Sequence, residues 1–341
     1  MPHSHHSHSG QFCRHAKDSL TAVVAEAARR GFRVFGLSEH APRYREADLF
    51  PEEADLTPQD LADAYTSFLA AAEAQRAAHP ALSLLIGIEC DAITPLDSAG
   101  LARLLADARI DYVVGSVHHV RGVSVDFDRG TWLRAVRAAR RGVDETTMVR
   151  VDGKLVLAPR DADAALADGY VPAPEEMEAF LAAYFDAQMG VLQAHQPEVV
   201  GHFDLCLLWV PEASLDAVWD RVERNVRYAV GYGALFEANA AALRKGWKTS
   251  YPSPRVLQLI MSLGGRICLS DDSHGVAAVG LNYLPMREYL VQQGVKTVWH
   301  LVRAAEAQEG DEKVGMRGRV VARPVTGWEH DEFWETFKAT M

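Results

Sequence analysis

The chain has 341 residues, 48% hydrophobic and 24% charged, with a formal net charge of −11; this globular composition excludes collagen-like, disordered and coiled-coil classes and leaves room for one large α/β barrel or two medium domains. The acidic balance disfavours nucleic acid or an anionic membrane as the main partner, since both need a basic footprint. No long apolar run or secretory leader is present, and Cys13, Cys90, Cys206 and Cys268 form no C-x-x-C pair, so a cytoplasmic protein outside the membrane is expected.

The opening stretch "MPHSHHSHSGQFCRHA" holds five histidines, His3, His5, His6, His8 and His15, interleaved with serines and leading straight into ordinary protein sequence. A purification tag would be a run of identical residues. Asp18 or Ser19 is expected to cap a helix whose Leu20, Val23, Val24 and Ala27 share one face, ending at Gly31. "FRVFGLSEH" reads as a buried strand. The next helix has Thr57 as cap, Pro58 at its first position, Asp60 in the first turn and Pro80 as its stop. "LSLLIGIECD", "LDSAGLARLLADA", "IDYVVGSVHHV" and "TWLRAVRAARRG" continue as strand, helix, strand and helix.

Residues 142–171 break the rhythm and read as an insertion, with a small hairpin at Asp152-Gly153. Alternation resumes with "PEEMEAFLAAYFDAQMGVLQAH" as helix, "EVVGHFDLCLL" as strand, then "SLDAVWDRVERNVRYAVG", "ALFEANAA", "PRVLQLIMSLGG" and "RICLSDDSH". "LPMREYLVQQG" and "VKTVWHLV" add a helix and a strand before a mixed extension from about Arg303. Six or seven such units predict one parallel α/β barrel spanning 1–341.

Strands buried on both faces should read as continuous apolar runs, yet each run here ends in ionisable residues that the strand itself does not need. The ends are Glu39 and His40, Glu89 and Asp91, His118 and His119, His202 and Asp204, Glu237 and Asn239, and Asp271, Asp272 and His274. The N-terminal histidines fit the same role. Carboxyl ends of barrel strands converge on one face, and imidazoles with carboxylates there form a site for a divalent metal such as zinc, manganese or iron. Any one such residue alone is more often a cap or a hydrogen-bonded loop residue; the argument rests on all of them together. His79, His195, His300 and His330 lie in helices, at helix ends or near the tail, and carry no such expectation.

These motifs, "HSH" with "CRHA", then "SEH", "GIECD", "GSVHH", "GHFDL" and "SDDSH", resemble the PHP (polymerase and histidinol phosphatase) family of metal-dependent phosphoesterases, in family order over about residues 1 to 280. The resemblance implies a distorted (β/α)7 TIM-like barrel with a three-ion metal site at the C-terminal ends of its strands. By that resemblance His6, His8, Asp272 and a bridging Glu89 hold the first ion, Glu89 with His118 and His202 the second, and His15, His40 and His274 the third. Glu39 is expected to orient His40.

"HSHHSHSG", "CRHA", "GSVHH", "GHFDL" and "LRKGWKTSYPSP" are most similar to the fungal-type branch, which implies hydrolysis of L-histidinol phosphate to L-histidinol and phosphate in histidine biosynthesis. Hydroxide on the metals would attack phosphorus without a covalent intermediate, with Asp272 at the reacting centre. Arg244 is expected to grip phosphate, with Lys245 as the fallback and Arg43 reaching the barrel mouth; His119 is expected to touch substrate or support a ligand. Cys206, Leu207 and Leu208 stand where the branch leads one to expect a basic residue. A PHP phosphoesterase for another small phosphorylated metabolite or nucleotide is the alternative, and a metal-binding scaffold without catalysis is a third reading.

Overall fold

Strand and helix alternate along the computed structural model, which describes residues 2–158 and 170–338. Local sequence signals explain the helix starts. Of the two possible caps on the first helix, Leu20–Arg29, Ser19 takes the role, its hydroxyl accepting from Ala22 N–H at 3.2 Å. Asp18 instead accepts from Val276 N–H at 2.9 Å and ties this corner to a segment 258 residues later. Helix Pro58–Ala78 begins with a capping box in which Thr57 and Asp60 satisfy each other's backbone amides.

Among the described residues the main sheet holds ten strands. In spatial order His3–Ser4, Val34–Leu37, Ser83–Cys90, Tyr112–Gly115, Val199–Val200, Leu235–Asn239, Arg266–Ser270 and Thr297–Arg303 run parallel. Val320–Thr326 and Glu312–Lys313 then join by antiparallel pairing, so the residues beyond Arg303 extend this sheet. The fold is α/β with a mostly parallel sheet.

The expected distorted TIM-like barrel is not confirmed: among the described residues the backbone ladder of the sheet does not close. Histidine side chains stand in for carbonyls at the open seam. Leu269 N–H donates to His3 Nε2 at 2.8 Å, Leu301 N–H to His5 Nε2 at 3.0 Å, and Asp271 N–H to the Ser4 hydroxyl at 3.2 Å. A ring between two strands satisfies the buried amides while holding the backbones a side chain apart.

Period-2 alternation sets what faces each way. Along Ser83–Cys90, Leu84, Ile86 and Ile88 pack with the helices, while Leu85 joins an inner cluster with Val34, Tyr112, Val114 and Leu235. Gly87 and Glu89 share that inner face. A Cβ on Gly87 would lie 2.5 Å from the Tyr112 ring, and one on Gly36 would lie 2.1 Å from its hydroxyl oxygen. The two glycines therefore make room for Tyr112, whose hydroxyl donates to His5 C=O at 2.7 Å and fixes the N-terminal segment over the inner core.

The hairpin expected at Asp152-Gly153 is present: Met148–Val151 pairs with Lys154–Leu157, and both turn residues have positive φ, 49° and 78°. Residues 159–169 of the expected insertion lie outside the described residues. Among the described residues no helix is long and apolar enough to cross a membrane.

Candidate metal centre

Strand ends deliver the site. Glu89 closes Ser83–Cys90 and presents both carboxylate oxygens to histidines from other elements. Its Oε1 lies 3.3 Å from His118 Nε2 and 3.2 Å from His202 Nε2, which are themselves 3.2 Å apart. Its Oε2 lies 3.1 Å from His6 Nε2, 3.3 Å from His8 Nε2 and 3.1 Å from His40 Nδ1. Asp272 Oδ1 is 3.7 Å from both His6 Nε2 and His8 Nε2. The two segments that carry these residues pair in parallel, Ser7 with Ser273 and His8 with His274. His15 Nε2 approaches His40 Nε2 at 3.2 Å, and its ring lies 5.1 Å from that of His274. All nine residues expected to hold metal thus sit in one place.

Their lone pairs are in want of a partner. Among the described residues His6 Nε2, His8 Nε2 and His40 Nδ1 are buried without a hydrogen-bond partner, and all three face the same carboxylate oxygen. Buried imidazole nitrogens around a carboxylate are a donor set that a divalent cation satisfies. Among the described residues four overlapping groups have atoms close enough to share an ion: His6, His8 and Glu89; Glu89, His118 and His202; His40, Asp91 and His118; and His8, Cys13, His40 and His274. Cys13 is an addition, its sulfur 3.2 Å from His15 Nε2.

A ring of carboxylates stands behind the histidines. Asp91 Oδ1 lies 2.6 Å from His118 Nδ1, and Glu237 Oε2 lies 3.1 Å from His6 Nδ1. Glu39, expected to orient His40, faces His8 Nδ1 at 3.6 Å, and its other oxygen accepts from the backbone N–H and hydroxyl of Ser9. Such partners fix the tautomer and direction of a ligand ring.

The charges follow. Burial opposes a proton on His6 and on His118, yet Glu89 with Asp272 and Glu237 on the first, and with Asp91 on the second, raises both well above the ordinary histidine value. Against burial, which favours the neutral acids, His6 and its neighbours hold Glu89 and Asp272 well below the carboxylate range. The negative potential that draws protons here draws metal cations equally.

A cavity of about 600 Å³ opens over this cluster, with Glu89, His118, His202 and Asp272 among its walls. Arg244 and Lys245 line it as well, and Arg244 Nη2 donates to Asp272 C=O at 3.3 Å. Two further cations line the cavity, Lys17 and Arg14, the latter paired with Asp55 at 2.8 Å. The carboxylates Glu52 and Asp126 and the rings of Phe50 and Phe127 line it too, with His15, His40 and His274 of the cluster and Ala278.

Two expected substrate contacts are placed elsewhere. Arg43 is buried, paired with Glu53 and with Asp91 at 3.3 Å, and lies over the Phe50 ring; it braces the loop and is not part of the cavity wall. His119 is buried and stacked on Phe50 at 5.9 Å, and burial lowers its pKa to about 4. It too is away from the wall, because successive residues of an extended segment point to opposite sides. Leu207, at the position where a basic residue was expected, is buried in a 3-10 turn.

Sequence comparison agrees with this geometry. The PHP domain profile matches residues 4–241. The chain is 37% identical over 305 residues to a Schizosaccharomyces pombe protein described as "Probable histidinol-phosphatase", covering 87% of this chain and 89% of that protein. It is 28% identical over 371 residues to the histidinol-phosphatase of Saccharomyces cerevisiae, covering 97% and 99%. In structure it is similar to histidinol phosphate phosphatase from Lactococcus lactis subsp. lactis, solved with zinc, L-histidinol and phosphate, with a TM-score of 0.54, 17% identity and coverage of 86% and 94%.

Proposed function

This chain belongs to the PHP family, and from that premise we propose that it is a metal-dependent phosphomonoesterase hydrolysing L-histidinol phosphate to L-histidinol and phosphate. The observation that carries the reading is Glu89, which presents separate oxygens to two groups of histidines on the floor of a cavity walled by cations. The two fungal relatives, matched over most of the chain, supply the substrate.

A divalent metal fits the orphaned donors. We assign three ions, with zinc first, as in the Lactococcus structure, and manganese or iron as alternatives that nitrogen and oxygen donors accept equally. His6, His8, Asp272 and Glu89 would hold one, Glu89, His118 and His202 the second, and His15, His40 and His274 the third. Bound there, the ions would neutralise phosphate charge and acidify a water for in-line attack.

The chain's own residues do the rest. Arg244 and Lys245 are placed to grip non-bridging oxygens, and Lys17, on the same wall, supplies a further cation. Asp272, held ionised, is an acceptor that orients the attacking water. Glu89 spaces the two histidine groups. The four cysteines are free and buried, which suits the cytoplasm.

Phosphate release from L-histidinol phosphate by metal-replete protein tests the reading, with elemental analysis of ions per chain. Turnover that a chelator abolishes and added metal restores is expected. A metal-replete protein inert on this ester, but active on another in a panel of phosphomonoesters, would overturn the substrate in favour of a sister PHP specificity.

A further inference from the structure

The cavity that must receive a phosphate dianion also carries a carboxylate with no ion-pair partner among the described residues. Of the four acids on its wall, Glu89 and Asp272 belong to the histidine cluster, and Glu52 Oε1 lies 3.1 Å from His15 Nδ1. Asp126 differs. It accepts from the Ser124 hydroxyl at 3.3 Å, and among the described residues no cation lies within 4.0 Å of it.

Its position is fixed from both sides. Val125 N–H donates to His118 C=O at 2.8 Å, and Val125 C=O accepts from Trp209 Nε1 at 3.0 Å. Two residues later, Asp128 caps helix Arg129–Arg141 through Thr131 N–H at 2.6 Å. Asp126 is therefore pinned beside the His118 backbone, next to the metal cluster. Its neighbour Phe127 lines the same cavity and is 39% exposed, an aromatic face left open to a ligand.

An unpaired carboxylate repels phosphate, so its presence on this wall makes sense only if the other end of the substrate is positive. We infer that Asp126 is a specificity residue that pairs with a primary ammonium on the carbon next to the phosphate-bearing carbon, while Phe127 covers the ring attached beyond it. The inference rests on the reading of the substrate as histidinol phosphate, whose alcohol carries both groups. It assigns to the loop after Val125 the recognition of the leaving group, and leaves to Lys17, Arg244 and Lys245 the recognition of phosphate.

The test compares kcat/KM for L-histidinol phosphate and for its analogue without the amine, 3-(imidazol-4-yl)propyl phosphate, in wild type and Asp126→Asn. The asparagine is isosteric and keeps an acceptor for Ser124, and metal content checks that the site is intact. Wild type is expected to favour the amine by about 10- to 100-fold, the span of a charged hydrogen bond, and Asp126→Asn to bring that ratio close to one. A ratio unchanged in the variant, or a wild type indifferent to the amine, overturns the inference. If wild type does not hydrolyse histidinol phosphate at all, the substrate reading falls, and phosphoethanolamine against ethyl phosphate poses the same question. A preference for the amine that Asp126→Asn erases then upholds the role of Asp126, and its absence removes it.

Discussion

His118 Nδ1 stands 2.6 Å from Oδ1 of Asp91, and this contact leaves Nε2 of the same ring to meet Glu89 at 3.3 Å. Asp91→Asn keeps the shape and removes the charge. Metal affinity is expected to fall about 10- to 100-fold, measured by competition against a chelator, with activity recovering at higher metal concentration. Affinity equal to wild type would show that Asp91 does not tune the ring.

Removing the first ten residues takes away the strand paired with Val34 and Phe35, the ligands His6 and His8, and the acceptors for Leu269 and Leu301 N–H. Each buried amide left without a partner costs about 1–3 kcal/mol. The truncated protein is expected to lose all turnover and to show a clearly lower Tm. Retained activity would mean that the N-terminal histidines are dispensable.

Gly36→Ala tests the close approach of Tyr112. The added Cβ would also lie 2.9 Å from His5 Cα, so the N-terminal segment must shift. Overpacking of this kind costs about 1–3 kcal/mol. A lower denaturant midpoint together with reduced kcat is expected, whereas a neutral outcome would show that the segment has slack.

Acid should weaken the seam. Burial, assisted by His300, lowers His5 to about 3, and burial lowers His300 to about 4. In the unfolded chain both titrate near 6.5. Between that value and their folded values the unfolded state binds protons that the folded state refuses, so stability present above pH 6.5 is lost as pH falls toward 4. Each group contributes a slope of about 1.4 kcal/mol per pH unit. Urea midpoints of chelated protein across this range, for wild type and His300→Gln, should differ by one proton's slope; parallel curves would exclude His300 from the effect.

Much of the centre is legible in the sequence because parallel strands have no structural use for a terminal His, Glu or Asp. Glu89, His118 and His202 stand out against apolar runs for that reason. Side-chain direction is less legible: His118 reaches the cluster, while His119 turns onto Phe50. Arg43 follows a ligand closely in sequence, but the acids Glu53 and Asp91 hold it in the protein. Lys17 and Asp126 sit in loops where an ordinary charge needs no explanation, so only the cavity singles them out. The open seam was hidden because histidines that resemble ligands serve there as substitutes for backbone carbonyls.

The pairing of Ser7–His8 with Ser273–His274 has a consequence for biosynthesis. Ser4 meets Asp271 across 267 positions of chain, so His6 and His8 wait for partners translated more than two hundred residues after them. Contacts this distant in sequence close late. Glu89 and His202 can find each other earlier, but the full donor set arises only when Ser7–His8 and Ser273–His274 have met. Full metal occupancy in a preparation is therefore a record of completed folding, and a chain lacking either segment is expected to fall short of it.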